Sequence, residues 1–320
     1  LIRKQIMLKY FLLIAVLGLF PVIAHAQESE DQTRDLWDTA FLKKRPAGKK
    51  QTAGRKQTIR RKQIAGKQPV RYKIVGGSKS QSSPAPTTQS AVIGVTVWRL
   101  RPSKTSDDEE VRQLIYQQGE WTPERVTAGT PLSEGARVQL TIESPRSGYL
   151  YVFDREIYAD NTFGEPYLIF PTLNLNDGDN KVSAGRVIEI PSADDKPPFY
   201  TLKRSRLNHE GENLTLIVTD TPLTELTIGR NSLKIPAEQF NLYEKQWGAL
   251  TQQLELEGGS GSAMNKAEKA AMKKNEVLTQ DDSLPQTIYR ILAKPNQPLL
   301  LTIPLSIGEH VDKRKEKLQP

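Results

Sequence analysis

From Ala91 onward the chain consists of short apolar runs separated by clusters of turn-forming residues, and several of those runs alternate with period two. Val138, Leu140 and Ile142 alternate with Gln139, Thr141 and Glu143, the signature of a strand with one buried face. Residues 148–154 set Leu150 and Val152 against Tyr149, Tyr151 and Phe153, and residues 91–100 are apolar on both faces, as in a central strand. Further strands are predicted at 167–170, 187–190, 214–219, 287–292 and 299–307. The intervening segments 144–148, 176–180 and 195–198 are rich in Ser, Asn, Asp, Gly and Pro, the composition of turns. Many short strands at such spacing predict a mainly β domain over 91–309, an antiparallel β-sandwich of immunoglobulin-like or similar kind.

A helical insertion, 237–275, interrupts the strands. Phe240, Tyr243, Trp247, Leu250 and Leu254 recur at intervals of three and four after Pro236, and Gly258 and Gly259 close the run. This predicts a helix of about two heptads that docks its stripe on the sheet. A shorter helix is predicted at 265–274, and 310–320 reads as a disordered charged tail.

The first ninety residues have a different texture. Arg3, Lys4 and Lys9 precede an apolar stretch, 10–23, and Ala24-His25-Ala26 gives a small-x-small site, so a secretory signal peptide cleaved before Gln27 is expected. The stretch is shorter than the roughly 20 residues a bilayer span needs, and no other long apolar run follows, so no transmembrane segment is expected after cleavage. Leu36, Trp37, Ala40 and Phe41 give the segment 27–42 a short amphipathic face that is expected to dock on the body. The chain has no cysteine, which removes disulfides, thiol nucleophiles and thiolate metal sites together.

Charge is strongly segregated. Beyond residue 26 there are 42 Lys and Arg against 37 Asp and Glu, and 13 of those cations fall in 43–73 with no acid among them. A mildly acidic body therefore follows a basic arm. Lys-Gln-Thr or Lys-Gln-Ile triplets recur every six residues in this arm, a period that suits neither helix nor strand, and 78–90 continues it in Ser, Pro, Thr and Gln. Residues 43–90 are thus expected to be a disordered linker. Lys49, Lys50, Arg55, Lys56, Arg60, Arg61, Lys62 and Lys67 are its candidate anion-binding side chains, with an envelope polymer as the expected partner. Nucleic acid is disfavoured because few aromatics are interleaved.

Catalytic and metal motifs are sparse. Lys73-Ile74-Val75-Gly76-Gly77 has the form of a zymogen cleavage site, but no Gly-Asp-Ser-Gly-Gly accompanies it. His209 and His310, in polar settings, are the only histidines beyond residue 26, so a Ser/His/Asp triad is not expected. The sequence around Asn176-Asp177-Gly178 lacks the ligand spacing of a calcium loop, and no metal, cofactor or catalytic residue is assigned. Asp154 and Glu156, two apart in a strand, share a side and form the one pair suited to glycoside hydrolysis; otherwise they meet Arg155, Arg186 or water. Tyr149, Tyr151 and Phe153, with Asp154 and Arg155, are the candidate ligand-binding residues if their face is open. If both faces are covered, they belong to a central strand.

The stretch Gly148-Tyr149-Leu150-Tyr151-Val152-Phe153-Asp154-Arg155-Glu156 resembles the hallmark segment of the bacterial domain of unknown function 4384 family. So do Pro166 to Thr172, Gly178-Asp179-Asn180 and the Leu278 to Arg290 stretch, and the resemblance spans about 92–309. It implies an exported or module-attached accessory role and supplies no functional residue. The expectation is an exported, non-catalytic binding or assembly module at the cell envelope, partnered by an envelope protein or anionic polymer. The alternative is a hydrolase acting on envelope polysaccharide.

Overall fold

The structure is a computed structural model that describes residues 45–47, 72–75, 89–115, 118–273 and 277–308. The predicted signal peptide, the segment 27–42, the tail 310–320 and all eight candidate anion-binding cations of the arm lie outside these residues.

The described chain is mainly β and forms two antiparallel sheets. In the first sheet, β1 (Tyr72–Ile74), β13 (Leu250–Leu256), β14 (Thr287–Ala293), β2 (Gln89–Pro102), β4 (Gly119–Val126) and β3 (Gln113–Ile115) follow one another. β5 (Arg137–Glu143) also pairs with β2 and carries β9 (Val187–Ile190) and β10 (Tyr200–Thr201). The second sheet runs β12 (Leu233–Lys234), β7 (Tyr167–Phe170), β6 (Gly148–Tyr158), β11 (His209–Thr219), β15 (Leu299–Ser306), with β8 (Lys181–Val182) also on β6. All eight predicted strands are present.

The alternation read from the sequence decides which way the sheets face. Ile93, Val95, Val97, Leu140 and Ile142 of the first sheet share one buried cluster with Leu150, Val152, Leu214, Leu216 and Ile303 of the second. Directly paired strand residues project to the same side, so the register Leu150↔Val218 and Val152↔Leu216 sends both strands' even positions into this interior. The arrangement is sandwich-like, with more strands than the seven or nine of an immunoglobulin domain.

The odd positions of β6 meet a second cluster. Tyr151, Phe153 and Ile217 are buried beneath Phe240 and Tyr243 of helix α1 (Ala237–Trp247), and Phe153 meets Phe240 edge-on at 5.4 Å between ring centroids. Each such ring contributes about 1.5–3 kcal/mol by leaving water. Both faces of β6 are therefore covered. Tyr151 and Phe153 are 3% and 0% exposed, and Tyr149 packs half-buried beside them, the arrangement of a covered central strand.

The predicted two-heptad helix is corrected. It stops at Trp247, and Gly248 closes the last turn with its N–H on Glu244 O (2.8 Å); a Cβ there would stand 2.4 Å from that oxygen. Residues 250–256 then run extended as β13, since the free edge of β14 offers them a full ladder from Leu250↔Leu292 to Glu255↔Thr287. Helix α2 (Lys266–Lys273) matches the expected second helix.

Three pieces of the segment expected to be disordered are part of the body, one of them being Gln89 and Ser90, which open β2 and pair with Ala293 and Leu292. β1 pairs with β13 through Tyr72↔Leu256, Lys73↔Glu255 and Ile74↔Leu254, and the Tyr72 hydroxyl donates to Pro285 O (2.8 Å). Arg45, only 3% exposed, enters the outer face of the first sheet. These last two are held by hydrogen bonds: β1 pairs with the β13 edge, and Arg45 meets the Glu143 carboxylate.

Candidate functional site

The sequence-predicted acids lie where β6 and β11 leave the interior. Asp154 and Glu156 do share a side, and it is the interior side, because they continue the Leu150, Val152 series. Glu212 stands directly across from Glu156 in the ladder, which brings a third carboxyl into the same group. Asp154 Oδ1 and Glu212 Oε2 are shielded from solvent and receive no N–H or O–H from other groups, although Asp154 as a whole is half-buried. Burial raises both, and the charges of Asp154 and Glu156 push Glu212 further, to about 9.

Glu156 is held ionised by different neighbours. Burial would raise it, but hydrogen bonds from Tyr158 and Ser205 and the Arg206 charge bring it below its ordinary value. Tyr158 donates its hydroxyl to Glu156 Oε2, and Arg206 lies over the Tyr158 ring at 3.8 Å while donating to its oxygen at 2.5 Å. His209 completes the group. It is fully buried at the start of β11, which corrects its sequence reading as a polar loop residue. Its Nδ1 accepts from the Ser205 N–H (3.1 Å), which places the ring hydrogen on Nε2, donating to Gly211 O (2.8 Å). Nε2 is also 3.4 Å from Glu212 Oε1.

Arg155 and Arg186, the cations expected beside these acids, are elsewhere. Arg155 points to the opposite face, donates to Gly164 O (3.1 Å) and lies 5.3 Å from the Phe240 ring centroid. Arg186 lines a separate cleft with Lys181 and Glu189. Asp154 and Arg155, adjacent in sequence, are thus divided between two layers by the strand pleat.

A second polar site lies on the outer face of the first sheet, under α2 and the 277–285 segment. Glu143, Thr141, Thr96 and Trp98 project there, since they alternate with the interior residues of β5 and β2. Arg45 fills one end. Its Nε donates to Glu143 Oε1 (3.0 Å) and its Nη2 to Glu143 Oε2 (2.5 Å), a two-pronged pair with side chains only 2% and 7% exposed. Its Nη1 reaches the carbonyls of Asp282 (3.2 Å), Ser283 (3.4 Å) and Thr279 (3.5 Å). The backbone is clipped as well: Gln280 Nε2 donates to Arg45 O (3.2 Å) and Gln280 N to Pro46 O (3.0 Å). Burial raises Glu143, opposed by the hydrogen bonds and charge of Arg45.

Two further buried pairs line this face. Arg125 donates to Glu268 and to Leu284 O (2.8 Å) and lies 5.0 Å from the Trp98 centroid, while Lys269 pairs with Glu189 at 3.2 Å. The cavity left beside Trp98 and Glu143 is about 40 Å³, room for no more than about three waters. Glu143, Glu212 and Arg45 were not singled out from sequence. Each is paired across tens of residues or more, so no local spacing marks it.

Among the described residues, no group of three or more His, Cys, Asp and Glu could hold a metal ion, and no helix is long and apolar enough to cross a membrane. Fold and sites together define a two-sheet, sandwich-like β protein with a helix on the outer face of each sheet, buried ion pairs on the first sheet's outer face and a group of acids at the β6–β11 end. No family model, no curated protein and no solved structure matches the chain.

Proposed function

We propose that the chain is an exported, non-catalytic binding or assembly module that works at a bacterial cell envelope, as its resemblance to the family named above implies. The observation that carries this reading is the way the first sheet takes up extended chain. β1 adds to β13 by three antiparallel pairs, and Arg45 with Pro46 is clipped to the 279–283 segment by backbone and side-chain hydrogen bonds. Strand addition and anchor-residue capture are the means by which sheet proteins hold peptide partners.

The acids support the non-catalytic side of the reading. A glycosidase pair has to straddle a bound sugar, whereas Asp154 continues the interior-facing Leu150, Val152 series of its strand. The leader-like residues before Gln27 support export. The test is expression of the full chain in a bacterium, with fractionation and N-terminal sequencing. Recovery outside the cytoplasm, beginning at Gln27 and retained on envelope material, is the expected result; an uncleaved cytoplasmic protein would sink the proposal.

A further inference from the structure

We propose that the socket built by Glu143 and the carbonyls of Thr279, Asp282 and Ser283 is a recognition site for the arginine side chain of an extended peptide, filled here in cis by Arg45 and able to take an arginine of another chain. This deepens the binding-module reading and rests on it.

The chemistry of the socket is selective. One carboxylate offers both oxygens to the guanidinium fork, and three carbonyls converge on the remaining nitrogen, Nη1. A lysine ammonium is a point charge with three donors and cannot satisfy that set at once. The socket also reads the backbone, since Gln280 meets the carbonyls of two successive residues, Arg45 and Pro46. That combination is a side-chain pocket with a peptide rail beside it.

The occupant is held like a ligand. Arg45 is 3% exposed, while Pro46 and Ala47, which follow it, are exposed, so the described hold consists of one buried side chain and the two carbonyls that Gln280 meets. Residues 45–47 belong to neither sheet, so their departure breaks none of the described strand pairings. An arginine in trans, followed by one more residue, offers the same guanidinium and the same two carbonyls.

The experiment uses the full chain carrying Arg45→Ala, titrated with the synthetic peptide acetyl-Arg-Pro-Ala-amide and followed by thermal melting. The expected result is a saturable rise of the melting temperature toward that of the unsubstituted protein. The Lys-Pro-Ala peptide should be weaker by at least about tenfold, since two or more charge-assisted hydrogen bonds are lost. Adding Glu143→Gln should remove the response. A folded Arg45→Ala chain that is unmoved by millimolar peptide overturns the proposal. If that variant does not fold alone, it is refolded with either peptide present. Recovery of the β-type circular dichroism spectrum with the arginine peptide alone supports the site, and failure with both overturns it. Sedimentation of the unsubstituted protein across concentrations identifies the source. A dimer lost in Arg45→Ala points to a second copy, and a monomer that competes for the arginine peptide points to a foreign chain. A negative peptide result leaves the fractionation test of export and envelope retention unaffected.

Discussion

Replacing Arg45 with Met should expose how much of the fold depends on one buried ion pair. The substitution removes the guanidinium while keeping an apolar stem, and leaves the Glu143 carboxylate, 7% exposed, without a counter-charge. Breaking a buried pair on one side costs about 3–5 kcal/mol. Protonation sets a ceiling on the electrostatic share. Taking Glu143 from its ordinary value of 4.5 to neutral at pH 7 costs about 3 kcal/mol, so the carboxyl accepts a proton once the penalty passes that figure. In the variant the folded-state value is raised, the native state binds the extra proton, and stability falls as pH rises from about 4.5 upward. Acidification should therefore return the loss at about 1.4 kcal/mol per pH unit. With a urea slope of about 2–3 kcal/mol per M, the midpoint at pH 7 should drop by roughly 1 M, and by much less at pH 5. Far-ultraviolet circular dichroism in urea at both pH values provides the measurement. The double substitution Arg45→Met with Glu143→Leu should regain most of the loss, because no charge remains to be buried. A variant within about 0.5 kcal/mol of the unsubstituted protein at pH 7, or a loss independent of pH, would refute the reasoning.

Other outcomes follow from the same geometry. Glu212 has its folded value raised, so its contribution to stability is greatest in acid and declines as pH climbs from 4.5 toward about 9; Glu212→Gln should flatten that decline in melts across the range, and unchanged slopes would count against a raised Glu212. Phe153→Ala opens the space beneath Phe240 and should cost about 3–5 kcal/mol in urea unfolding, with the Trp247 emission, stacked on Tyr243 at 4.6 Å, reporting release of α1. Gly148→Ala places a Cβ 2.2 Å from Thr219 O in the β6–β11 ladder and should lower the melting point sharply, whereas Gly229→Ala, with nothing within 4 Å, should move stability by less than about 0.5 kcal/mol. Equal melting points for the two alanine variants would show that the close approach is relieved at no cost.

What could be read from the sequence was what depends on local pattern. β5, β6 and β15 announced themselves because one face is apolar at every second residue. β4 did not, since Glu124 and Arg125 sit within it and Pro123 interrupts it; they are tolerated because Arg99 and Arg101 pair with Glu124 and Glu268 pairs with Arg125. β13 was concealed by Leu250 and Leu254, four apart, a spacing that serves a helix as well as alternate positions of a strand. The acid group was half legible. Asp154 and Glu156 stand on one strand, but Glu212 enters from β11 through pairing across 56 residues, and His209 gave no sign of burial because its neighbours in sequence are polar. Arg45 was hidden among like charges, because nothing local in the sequence marks it out from the other cations of the arm.

The covering of β6 and β11 on both sides has a kinetic counterpart. Their central amides, around Val152 and Leu216, lie between the interior cluster and the layer held by α1, so no small fluctuation brings water to them. They should be the last to exchange with deuterated solvent, at a rate governed by unfolding of the whole body, while the short flanking pairs at Tyr72 and Leu233 exchange early through local opening. The slowest protons among the described residues thus belong to the segment whose aromatic side chains the sequence left between an open face and a covered one.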